Sequence, residues 1–199
     1  MKPSELLLEQ IRRVKQAYAP VDLANPICFI RNLIFVYHTS AATENMIGLA
    51  AEKSDGELRE YFLQHLAEER GHEKWLSEDL RTVGVDVKKA AIAPEAVAMA
   101  GTQYYLIHHV HPAALLGYMA MLECFPMPAD AVDALERIHG KALCHTLRYH
   151  SLHDIDHGAD VLTVIDKLPE SLLPLVFDSA IQTAHYLGSA SAKFAHTEN

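Results

Sequence analysis

The chain has 199 residues, half of them hydrophobic and 22% charged, which is ordinary globular usage and excludes a disordered or low-complexity polypeptide. A chain of this length can bury roughly 70% of its unfolded surface, so a single domain over 1–199 is expected. The formal net charge of −9 supplies no basic footprint, so neither nucleic acid nor an anionic membrane is expected as a partner.

Apolar residues recur at three-and-four spacing almost throughout, and no segment alternates in the manner of a strand, so the expected fold is all-α. A first helix is predicted from about Ser4, as its N-cap, through Leu7, Ile11 and Val14 to about Tyr18, with Pro20 stopping it. A second runs from near Pro26 to the break at Ser54-Asp55-Gly56. The third is predicted over 57–82, ending at Gly84 in a left-handed cap. A short helix follows Pro94, and His111-Pro112 should kink or restart the chain before a helix to about Phe125. A long helical segment is predicted over 129–168, with Gly140 and Gly158 as weak points, and a last one from Glu170 to about Phe194. The sum is one bundle of about seven helices.

Cys28, Cys124 and Cys144 lack the spacing of a disulfide framework or a CxxC pair and read as buried thiols in a reducing compartment. With no signal-peptide-like stretch near the start and no run of about 18 apolar residues, a cytoplasmic location is expected.

Thirteen histidines are unusual beside 17 lysines and arginines combined, and histidine is the commonest metal ligand among side chains. His150, Asp154 and His157 stand at i, i+4 and i+7, and the same helical face carries Leu143 and Leu147 before them and Val161 and Ile165 after them. Three ionisable groups thus interrupt a stripe that should face the core. Even a neutral polar group buried without a partner costs about 2–7 kcal/mol, and convergence on a divalent metal would compensate. A hydrogen-bonded His-Asp network is the competing explanation.

The third helix repeats the anomaly. Its apolar stripe of Leu58, Phe62, Leu76 and Leu80 is filled between by His65, Glu69 and His72 at the same spacing. Glu68 lies just off this stripe and is the alternative to Glu69. Glu123 adds a carboxylate near the end of an otherwise apolar helix. Carboxylates from several bundle helices with an E-x-x-H pair are the general recipe for a diiron site, and oxygen and imidazole donors without thiolate suit iron or manganese better than structural zinc.

In their order and spacing, Glu69-x-x-His72, Glu123 and His150-x-x-x-Asp154-x-x-His157 resemble the heme-oxygenase-like diiron oxidases and oxygenases, over roughly residues 57–168. The resemblance implies a heme-oxygenase-like helical bundle with two iron ions: one held by Glu69, His72 and a bridging Glu123, the other by His150, Asp154, His157 and the same bridge. It also implies activation of dioxygen to oxidise a small organic substrate. Some members of the family carry a carboxylate seven residues before the helix-three histidine, where this chain has His65. Others recruit a glutamate from the preceding helix, for which Glu44 and nearby His38 are the candidates. A homodimer is the oligomer considered.

Tyr104, His108 and His111 share a helical face, so they are candidates for a substrate pocket with Tyr118, although a hydrogen-bond network at the bundle end explains the first three as well. Two metal-independent readings compete: a thiaminase II-like hydrolase and an oxidase like the PQQ synthase. Ala113 to Tyr118 resembles the thiaminase II stretch that carries the nucleophile, but Tyr118 stands where that activity needs cysteine. A non-catalytic helical metal-binding protein is the reading from outside enzymology.

Overall fold

The computed structural model describes residues 1–195, which form nine α-helices and, among the described residues, no strand. They are α1 (Pro3–Gln16), α2 (Pro26–Glu52), α3 (Gly56–Glu69), α4 (His72–Arg81), α5 (Pro94–His109), α6 (Leu115–Glu123), α7 (Ala129–His139), α8 (His145–Asp166) and α9 (Leu173–Ala195). The two beyond the expected seven come from glycines. Gly71 and Gly140 have φ of 87° and 88°, a left-handed conformation that costs other residues roughly 1–2 kcal/mol. The helices predicted over 57–82 and 129–168 are each cut in two there. Gly158, the other expected weak point, instead lies inside α8, where a Cβ would come within 3.0 Å of the Glu123 carbonyl oxygen. Its missing side chain brings the α8 backbone against the end of α6.

Three boundaries differ from expectation for local reasons. Ser4 is not the cap of α1: the helix begins at Pro3, and the Ser4 amide donates to Asp166 Oδ1 at 2.9 Å, so a carboxylate from the end of α8 satisfies it. The helix after Pro94 is not short but runs 16 residues, and a 3-10 turn over Pro112–Ala114 then restarts the chain. The last helix starts at Leu173, after a separate 3-10 turn over Glu170–Leu172. At the start of α2 the Asn25 side chain accepts from the Ile27 and Cys28 amides, as a capping residue should.

Side chains of α1, α2, α3, α5, α6, α8 and α9 make the main core, with Phe62, Leu116, Met119, Val161 and Val176 fully buried. A smaller core joins Phe29 and Leu33 of α2 to Leu76 and Leu80 of α4 and Leu135 of α7. Burying each such side chain contributes about 1.5–3 kcal/mol. The 27-residue α2 feeds both cores.

Candidate metal centre

The α3–α4 break shapes one side of the site. Glu69 ends α3 and His72 begins α4, with Arg70 extended (φ −62°, ψ 118°) and Gly71 left-handed between them. Glu44 of α2 holds this turn: its Oε2 accepts the Gly71 amide at 3.2 Å, and its Oε1 lies 3.8 Å from Arg70 Nε. Glu44, a candidate ligand from the sequence, thus secures the backbone at the break. Across it, His72 Nδ1 meets Glu69 Oε2 at 3.1 Å, and Trp75 stacks on the imidazole with ring centroids 4.4 Å apart.

On α8, His150, Asp154 and His157 face inward from successive turns. Asp154 Oδ1 is 2.8 Å from His150 Nδ1, which fixes the ring and leaves Nε2 as the free donor atom, the usual way a carboxylate orients a metal-binding histidine.

The side chains converge in two neighbouring groups, Glu69 with His72 and His150, and Glu123 with His65 and His157, each offering donor atoms within 4.8 Å of one another. This differs from the division implied by the family resemblance. His150 joins His72, because α8 runs past the start of α4. Glu123 sits with His157 alone of the expected partners, and buried His65 completes its group, Nε2 standing 3.2 Å from Glu123 Oε1. The carboxylate between the groups is Glu69. Its Oε2 faces His72, and its Oε1 lies 3.5 Å from His157 Nδ1. Asp154 stands behind His150 and belongs to neither group. Each group contains two imidazoles and one carboxylate, the donor set that binds ferrous iron with coordination positions to spare.

Three buried polar atoms of the second group, His65 Nε2, Glu123 Oε2 and His157 Nδ1, make no well-formed hydrogen bond. Buried polar atoms are nearly always satisfied, so three orphans in one cluster suit the binding of a cation. The close contacts there are electrostatic. Glu69, 3.5 Å from Nδ1, raises the His157 pKa to about 9. Burial alone would raise the Glu69 pKa, but the neighbouring His157 and His72 overcome it and hold it far below the usual carboxylate range. Burial likewise opposes the charged forms of His65 and His150, yet Glu123 and Asp154 leave both with raised pKa values. At Glu123 burial wins, and the pKa rises. A metal would replace these shared protons.

The site opens on two spaces of opposite character. On one side lies a mostly apolar cavity of about 260 Å3, walled by Phe29, Leu33, Val36, Leu76 and Leu147, with Glu69, Glu123, His150 and Asp154 along one wall. On the other, a polar cleft of about 540 Å3 reaches His65 past Tyr61, Glu68, Asp160 and Lys167. Glu68 belongs to this outer side: largely exposed, it comes within 3.5 Å of His157 Nε2 but joins neither donor group.

The remaining sequence candidates lie apart. His108 is exposed, His111 accepts the Ala113 amide with Nδ1, and neither these nor Tyr104 line the apolar cavity. Tyr118 is fully buried and shares a 2.7 Å hydrogen bond with Thr43, which does line it, so Tyr118 backs the wall instead of facing the space. His38 packs against Tyr37 outside both donor groups. Sequence reasoning missed the cavity lining itself, since Phe29, Leu33 and Leu76 carry the periodic apolar signature of core residues and nothing further distinguishes them.

Fold and site together define an all-α, heme oxygenase-like protein with a candidate metal centre. The sequence family described as iron-containing redox enzyme matches residues 31–186, and the chain belongs to that family. Among solved structures, it is similar to a TenA homolog from Pseudomonas syringae pv. tomato, at a TM-score of 0.76 and 12% identity over 96% of this chain and 91% of that one. A TenA homologue from Pyrococcus furiosus gives a TM-score of 0.74 at 10% identity, covering 98% of this chain and 100% of that one. A domain of unknown function with a heme oxygenase-like fold from Shewanella denitrificans gives 0.61 at 18% identity, covering 96% and 85%. At such identities the likeness is one of fold. No curated protein sequence matches the chain. No helix among the described residues is long and apolar enough to cross a membrane.

Proposed function

We propose that this protein is a non-heme diiron oxidase or oxygenase that uses dioxygen to oxidise a small organic molecule held in the apolar cavity. The observation that carries the reading is the pair of adjacent two-histidine, one-carboxylate groups, one of them with three orphaned buried donor atoms. Manganese has the same donor preferences and is the alternative metal. When bound, such a metal pair supplies the activation of dioxygen. The chain's own part is positional. Glu69 lies between the groups, Asp154 sets the ring orientation of His150, and the hydrocarbon walls keep water from the reacting end of the cavity.

A thiaminase-like hydrolase of the same fold is less well supported. No cysteine is among the residues lining the apolar cavity, Tyr118 is buried and hydrogen-bonded, and burial pushes the Cys124 thiol up to about 12, which leaves it protonated and unreactive at neutral pH.

Anaerobic titration of the chelator-treated protein with ferrous iron tests the reading. Two bound equivalents are expected, with one lost in His157→Ala together with dioxygen consumption. If the parent protein takes up no iron under reducing conditions at neutral pH, the donor groups are a polar network and the reading falls.

A further inference from the structure

The polar cleft differs from the apolar cavity in what it can admit. Its exposed charged residues are four carboxylates, Glu57, Glu60 and Glu68 of α3 and Asp160 of α8, against one lysine, Lys167. Along α3 the residues Glu57, Glu60, Gln64 and Glu68 recur every three or four positions, so a single helical face leads carboxylates inward. Exposed acidic groups are common on any surface, and these carry weight because of what stands at the inner end of the cleft. His65 lines it although only 3% exposed, and its Nε2 makes no well-formed hydrogen bond. The Tyr61 hydroxyl is also buried without a partner. Burial raises the Tyr61 pKa and Glu123, Asp160 and Glu68 add to it, so this hydroxyl is within range of donor and cleft carboxylates alike. Gln64 Nε2 donates to Glu68 Oε1 at 3.2 Å, while Glu68 Oε2 lies 3.5 Å from His157 Nε2.

We infer that this cleft is the loading route of the metal: its carboxylates gather hydrated ferrous iron, and Glu68 passes it to the donor group of His65, Glu123 and His157. The inference rests on the diiron reading of the donor groups. A cleft lined by one sign of charge raises the rate of encounter with a counter-ion by about tenfold to a thousandfold. The apolar cavity offers no equivalent path, since most of its wall is hydrocarbon and a divalent ion crossing it would shed water with nothing to replace it. At the inner end of the cleft the orphaned His65 Nε2 and Tyr61 hydroxyl supply the polar atoms that an ion leaving its water needs. Glu68 is thus a positioning residue outside both donor groups, one side chain away from His157.

Anaerobic mixing of the chelator-treated protein with ferrous iron, stopped at intervals by a chromogenic chelator that intercepts unbound iron, times the uptake. Glu60→Gln/Glu68→Gln should load roughly tenfold more slowly than Glu78→Gln/Asp178→Asn, which removes the same charge from exposed positions that line neither space. Both should finish at the parent's stoichiometry. Lys167→Gln, which removes the one opposing charge, should load about threefold faster than the parent. Equal rates in the two double variants overturn the inference, as does a rate unmoved by Lys167→Gln. It is overturned equally if Glu60→Gln/Glu68→Gln ends an equivalent short, because the cleft carboxylates would then be resident ligands. A parent that takes up no iron removes the diiron reading and this inference with it, whereas a parent that takes up two equivalents at a rate indifferent to the charge of the cleft removes this inference alone.

Discussion

At His157 the protein stores a proton that a metal would have to displace. Glu69 lies 3.5 Å from Nδ1 and raises the pKa to about 9, above the ordinary value of 6.5. A histidine whose pKa is higher folded than unfolded stabilises the fold fully below the ordinary pKa and loses that contribution as pH rises through the folded one. The metal-free protein should therefore lose stability between about pH 6.5 and 9 on account of this residue. A ligating imidazole must be neutral, so metal affinity should climb over the same interval. Melting the chelator-treated parent and His157→Gln across that range checks the first expectation; parallel curves would show that Glu69 does not hold the proton. His65 is the residue whose role was least legible beforehand. On a helix it shares a face with Glu69 and His72, but only its 3.2 Å approach to Glu123, a residue 58 positions later in the chain, gives it a partner.

A single backbone conformation decides how α3 and α4 present Glu69 and His72. Periodicity alone describes residues 57–82 as one helix, and a glycine inside a helix costs only about 1 kcal/mol relative to alanine, so Gly71 gives no clear warning of a break. The tertiary contact from Glu44 to the Gly71 amide sets it. A Cβ at Gly71 would meet nothing closer than the Lys74 side chain at 3.8 Å, so Gly71→Ala has room and suffers only the left-handed φ of 87°. The variant should lose roughly 1–2 kcal/mol of stability, read as a lower denaturant midpoint. A variant as stable as the parent would mean that the break is not imposed by the backbone. On α8 Gly158 sits within an unbroken helix, and its missing Cβ permits close packing against Glu123.

For the molecule as a whole, α9 closes the bundle against α1, α5 and α6. The tightest point is Gly117, where a Cβ would fall 2.0 Å from the Val176 carbonyl oxygen and 2.8 Å from the Ala180 nitrogen. Both are backbone atoms that cannot rotate away, so Gly117→Ala must push α6 from α9. Overpacking of this kind typically costs about 1–3 kcal/mol, or about 2–4 °C in melting temperature for each kcal/mol at this size. An unchanged melting temperature would show that the two helices separate freely. Because α6 also carries Glu123, the same variant should, on the proposed diiron reading, weaken iron uptake at the second donor group.

Two features follow from the sequence by itself. The helical class rests on apolar spacing sustained through nearly every segment, and the inward direction of His150, Asp154 and His157 rests on their register with Leu147 and Val161, because local periodicity fixes which face of a helix is buried. How the donors group was decided elsewhere. His150 stands with His72, and His65 with Glu123 and His157, because α3, α4, α6 and α8 pack at particular depths and angles. Those depend on the Gly71 break, on the contact at Gly158 and on Glu44. The apolar cavity belongs to the same class of facts: its walls are core residues in every local respect, and only the tertiary packing leaves space between them.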